Sequence, residues 1–154
     1  MDEYTSAMMR QINYQKLWEI WQTGKQGGDL SEEDARMYEI MEGHMQYAPL
    51  WDRLDRATEE QVTLNGVNLV LHVQFHHIVA NQLADDNPPA VRQVLRVLMQ
   101  KGMKEHDAVH AIASVVAWEV HDMMQKKRVF DTQRYIRALR QLPLRVKTPV
   151  KKKK

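Results

Sequence analysis

Apolar residues recur at helical rather than strand intervals along most of the chain. Met8, Ile12, Leu17, Ile20 and Trp21 fall at helical spacings between about Tyr4 and Thr23, ahead of a breaker cluster at Gly24, Gly27 and Gly28. That pattern predicts a first helix. Ser31 with Asp34 resembles the start of a second, whose apolar face is Met37, Ile40 and Met41 and which should end before Pro49. Leu50–Arg56 can form a short helical turn, and Thr58–Asn65 reads as a polar connector closed by the turn dipeptide Asn65-Gly66. Asn68 is then a candidate cap for a long third helix carrying Val70, Val73, Phe75, Ile78, Val79 and Leu83, terminated by Asn87-Pro88-Pro89. Val91, Val94, Leu95 and Leu98 define a fourth helix closed at Gly102. Ala108, Ile112, Val115, Val116 and Val120 define a fifth, apolar on most sides and expected to be the most buried. Asp131 can cap a last helix with Tyr135, Ile136 and Leu139. No period-2 strand and no internal repeat is visible.

The expected fold is therefore all-α: a compact single-domain bundle of five to six helices over residues 1–142, followed by a flexible basic tail over 143–154. A length of 154 residues suits one domain able to bury a core without staples. Cysteine is absent, which removes disulfides, thiolate metal sites and a thiol nucleophile together and leaves nitrogen and oxygen as the only metal donors. The acidic start Met1-Asp2-Glu3-Tyr4 is unlike an export signal, and no apolar run approaches the roughly 20 residues that span a bilayer. A cytoplasmic protein without membrane contact is the expectation.

Seven histidines then change the picture. His72 and His76 are four apart, as are His106 and His110. Four residues make about one helical turn, so each pair stacks its imidazoles on one face, and two such pairs on facing helices can converge on one cation. Burying four imidazoles without a partner would leave many polar nitrogens to satisfy. The pattern predicts one transition-metal ion, zinc or iron, on His72, His76, His106 and His110, since calcium and magnesium prefer oxygen. His44 is a candidate fifth ligand or a surface residue, and Glu42 lies near it. Asp107 is a candidate partner behind the ligands, or else a solvated acid favoured at a helix start. His121 lies ~16 Å along the helix from His110 and His77 points ~100° away from His76, so both are expected to be structural. No His-Glu-x-x-His protease motif and no Glu-x-x-His di-iron repeat occurs, so the spacing names no reaction.

The segments Asn68 to His76, Asn81-Gln82-Leu83 with Asn87-Pro88-Pro89, and Glu105 to His110 with Ile112 resemble the bacterial family designated domain of unknown function 1841. The resemblance runs from about His44 to Leu142. It implies a compact helical bacterial protein whose recurring histidines fall where His72, His76, His106 and His110 stand, and it supplies no reaction.

Charge adds a second possibility. Residues 126–154 hold twelve basic side chains against Asp131 alone, while the rest of the chain holds ten basic and nineteen acidic ones. A basic end of this kind can contact nucleic acid or another polyanion through Arg134, Arg137, Arg140 and the final lysines, yet it also serves as a solubilising end. Four tryptophans and ten methionines at helical spacings read as core, with the Met8-Met9 and Met123-Met124 doublets each leaving one residue for the surface or a homodimer interface. The leading expectation is thus a metal-binding helical protein, and the alternative a non-enzymatic interaction or nucleic-acid-associated protein.

Overall fold

The computed structural model describes residues 3–146, with side chains from residue 13 onward. The lysines at the end of the basic tail, 147–154, and the Met8-Met9 doublet lie outside the described side chains. The described residues are mostly helical: α1 (Glu3–Lys25), α2 (Glu32–Glu42), α3 (Ala48–Trp51), α4 (Glu59–Val62), α5 (Leu69–Asp85), α6 (Pro89–Gln100), α7 (Glu105–Gln125) and α8 (Thr132–Arg145). Six of these run eleven residues or more, and short 3-10 turns at Met45–Tyr47 and Leu54–Arg56 flank α3. The expected five to six helices thus become eight α-helices among the described residues, because the segment from Met45 to Val62 breaks into short pieces that periodicity cannot resolve.

The described residues fall into two compact units, and the boundary between His77 and Ile78 lies inside α5. Periodicity reports which face of a helix is buried and not which helices share a core.

In the first unit α1 packs on α2, α3 and the Leu54–Arg56 turn. Tyr14, Leu17, Ile20 and Trp21 from α1 join Met37, Met41, Trp51, Leu54, Val62, Val70 and Val73 in one apolar cluster. Trp51 is fully buried, and its indole N–H donates at 3.1 Å to the Met41 carbonyl near the end of α2, which also accepts the His44 N–H at 3.1 Å. Asp52 accepts from Trp21 Nε1 at 2.8 Å and from Lys25 Nζ at 2.6 Å, while its backbone carbonyl accepts from Trp18 Nε1 at 3.1 Å. The Lys25 and Trp21 hydrogen bonds hold the Asp52 carboxyl below the ordinary carboxylate pKa. Ser31 caps α2 by accepting from the Asp34 N–H, as its spacing predicts. The second helix ends before Pro49, as expected, with Gly43 as its C-cap, and Pro49 sits in the first turn of α3, where its missing N–H costs nothing.

The connector between Thr58 and Asn68 holds the one strand pair among the described residues. Thr58 and Gln61 form a reciprocal capping box around α4, after which β1 (Thr63–Leu64) and β2 (Val67–Asn68) pair antiparallel, Thr63 opposite Asn68. Asn65 and Gly66, both with positive φ, turn the corner, as a two-residue hairpin loop requires. Strands of two residues are too short to show a period of two, which is why the sequence reveals the turn and not the hairpin.

The second unit is built on α6, α7 and α8, each packed on the other two. Ala90, Val91, Val94, Leu95 and Leu98 line the inner face of α6. Gly102, at φ 100°, closes that helix in a conformation few other residues adopt. Helix α7 departs from expectation: it buries one stripe, Ala108, Ile112, Ala113, Val116 and Glu119, while His106, His110, Ser114 and Trp118 are exposed. Its apolar appearance comes from valines and alanines that end half-buried along the flanks of that stripe. Tyr135 is buried on α8, and its hydroxyl donates to Gln82 Oε1 at 2.8 Å. Burial raises the Tyr135 pKa well above its ordinary value. Helix α8 continues through Pro143, which is buried and whose carbonyl accepts from Lys101 Nζ at 2.6 Å. The N–H that Pro143 lacks would have bonded the Leu139 carbonyl one turn earlier, whereas the Lys101 contact satisfies the proline's own carbonyl, an open acceptor in the last turn of the helix.

Candidate metal centre

Three of the predicted histidines meet within the first unit. His72 and His76 project one turn apart from the start of α5, whose first turn is fixed by Asn68: its Oδ1 accepts from the Val70 and Leu71 N–H groups at 3.0 and 3.1 Å. His44 follows Gly43 at the end of α2, in the bend that leads into the Met45–Tyr47 turn. The Trp51 anchor on Met41 and the T-shaped contact of Tyr47 with Trp51, centroids 6.2 Å apart, hold that bend in place.

One ligand-capable nitrogen from each of His44, His72 and His76 lies within 4.8 Å of the others. The ring centroids are 4.7 Å apart for His72 and His76, 5.2 Å for His44 and His72, and 5.5 Å for His44 and His76, every pair edge to face. His44 and His76 are buried, at 9% and 5% exposure, and His72 is half-buried. Two nitrogens on a tetrahedral zinc sit ~3.3 Å apart, given Zn–N bonds of about 2.0–2.1 Å, so side-chain shifts of the order of 1 Å bring this triad to coordination distance. The His44 Nδ1 lies 2.7 Å from the Ile40 carbonyl oxygen. A carbonyl only accepts, so Nδ1 carries the proton and Nε2 the lone pair, the tautomer and the backing hydrogen bond typical of a metal-bound imidazole.

His44 is thus a central member of the group and not a surface residue. From the sequence it stands only as a candidate fifth ligand or a surface residue, because it has no histidine at i+4. Glu42 is exposed, and the triad is all nitrogen. His106 and His110 occupy the first turns of α7 in the second unit, exposed, with exposed Asp107 between them. These three fall outside the group formed by His44, His72 and His76. His77 Nε2 is 3.0 Å from the Glu33 carbonyl, a tie between α5 and the start of α2 that matches its expected structural part. His121 is exposed.

A second polar constellation, on α7 and α8, was not anticipated. Glu119 is 2% exposed, and its carboxylate lies 3.3 Å from Arg128 Nη2 and 3.4 Å from Arg134 Nε. Asp122 takes the same two guanidiniums at 2.7 and 3.3 Å and Lys126 at 3.1 Å. The Arg128 hydrogen bond, ahead of the opposing effect of burial, holds the Asp122 carboxyl below its ordinary pKa. The readable signal was a glutamate at the i+7 position of the i, i+4, i+7 series that Ile112 and Val116 begin. Lys126, Arg128 and Arg134, counted above in the basic end, are thereby paired with acids, while Arg137 and Arg140 are exposed.

Neither curated proteins nor solved structures yield a match to the chain. The profile described as Domain of unknown function (DUF1841) matches residues 8–141, a span that contains the histidine triad, both pairs of histidines and the Glu119 network. The chain therefore belongs to the DUF1841 family.

Proposed function

We propose that this protein binds one transition-metal ion, zinc or iron, through His44, His72 and His76. The observation that carries the reading is the convergence of three imidazole nitrogens, two of the rings buried, with the His44 tautomer set by the Ile40 carbonyl. Three neutral nitrogen ligands suit zinc, iron, nickel or copper and leave at least one coordination position for a further ligand. Should water occupy it, the ion lowers the pKa of that water and supports hydrolytic chemistry; a further protein ligand there makes the ion structural. The sequence pattern adds His106 and His110 as candidates for that role, with Asp107 behind them.

The test is elemental analysis of protein purified without an affinity tag or chelator. Near-stoichiometric zinc or iron is expected in the wild type and none in H72A/H76A. The variants H44A and H106A/H110A report whether each set contributes ligands. Removal of metal from the wild type should lower thermal stability; for an ion held at 100 times its Kd the loss is about 2.7 kcal/mol, or roughly 5–10 °C. A metal-free wild type whose stability is indifferent to both chelator and added zinc or iron sinks the reading.

The alternative reading, polyanion binding through the basic end, is weakened by the pairing of Lys126, Arg128 and Arg134 with Glu119 and Asp122. It predicts salt-sensitive nucleic-acid binding that deletion of residues 147–154 abolishes.

A further inference from the structure

Helices α7 and α8 separate along one side of the second unit and leave an open cleft of about 490 Å³, within the range of small-molecule sites. Ala111 and Ser114 from α7 and Ala138 from α8 line it, and such short side chains leave unfilled the space that larger residues would occupy. Trp118 and Leu142 line it as well. Trp118 is 57% exposed, a large aromatic surface left in water on a helix whose opposite face is buried. An exposed tryptophan beside a concavity provides a flat apolar wall at little conformational cost.

Charge selects among apolar ligands. Arg145 lines the cleft at the end of α8 and has no ion-pair partner among the described residues. Glu119 also lines it, yet its carboxylate is held by Arg128 and Arg134, and the Arg134 guanidinium lies 5.7 Å from the Trp118 ring centroid. The charged groups that line the cleft are Glu119 and Arg145, and Glu119 is already held by Arg128 and Arg134. That leaves the Arg145 guanidinium to meet a ligand, and its planar fork suits a carboxylate.

We propose that the α7–α8 cleft binds a small molecule with a flat apolar body and one carboxylate, the body lying against Trp118 and Leu142 and the carboxylate meeting Arg145. The site is independent of the histidine triad. It is tested by calorimetric titration of the full chain, stripped of metal so that no carboxylate can bind an ion, with naphthoate and with the cationic aminomethylnaphthalene of similar size. Naphthoate should bind saturably with a Kd below about 1 mM, and the cation at least tenfold more weakly. R145Q and W118A, both changes to exposed side chains, should each weaken naphthoate about tenfold, while A138L, which fills the cleft, should abolish binding. Equal binding of the two probes, no saturation by naphthoate, or R145Q and W118A proteins that bind it as the wild type does would each overturn the assignment.

Discussion

Gly24 has no side chain because the Tyr38 ring occupies the place of one: a methyl group built there would overlap three atoms of that ring. The ring cannot simply move aside, since it is tilted against Trp21 with centroids 5.5 Å apart. In a helix, alanine ordinarily gains about 0.5–1 kcal/mol over glycine, whereas overpacking costs about 1–3 kcal/mol. The second effect wins. Gly24→Ala should therefore lower stability to urea by about 1–2 kcal/mol, and an unchanged or raised midpoint would show that Tyr38 yields. From the sequence Gly24 is legible only as a helix breaker, while the structure keeps it inside the last turn of α1. Spacing exposes His72 and His76 for the same reason that it leaves His44 less marked: a periodic pair announces itself along the chain, and a side chain brought in from another element does not.

Between elements, the informative join is Glu119. It is a carboxylate inside the buried stripe of α7, clamped by Arg128 beyond the helix end and Arg134 from α8. Substitution by alanine leaves both guanidiniums beside a new gap, although Asp122 continues to hold them and each remains partly in water. Breaking a buried ion pair costs about 3–5 kcal/mol, and this residual pairing places Glu119→Ala near or below the lower end, at about 2–3 kcal/mol by chemical denaturation. Glu119→Gln, which retains the shape and one acceptor, should cost less than the alanine. Equal losses would show that packing and not charge gives the residue its importance. Helix starts at Ser31, Asn68 and Asp131 are all readable because a short oxygen-bearing side chain satisfies backbone N–H groups locally. The extent of burial along α7 is not readable, because valine and alanine suit a core and a flank alike.

Over the whole molecule, the triad and its supports lie entirely in the first unit. Metal removal should accordingly speed amide hydrogen exchange at the end of α2, in the Met45–Tyr47 turn and in the first turns of α5, and leave α6 and α8 nearly unchanged. Uniform deprotection, or a change centred on α7, would place the ion's influence elsewhere. The division into two units was not legible, since both halves of α5 carry the same apolar periodicity, whereas the all-helical class was, because 3.6-residue spacing persists over every long element. The cap at Asn68 also has a rotational meaning. His72 and His76 keep the same bearing as one another whatever precedes them, but each residue added between Asn68 and His72 would turn both by about 100° away from His44. The Asn65-Gly66 corner and the cap behind it act as an angular index for α5, and the three positions from Leu69 to Leu71 have no tolerance for a change in length.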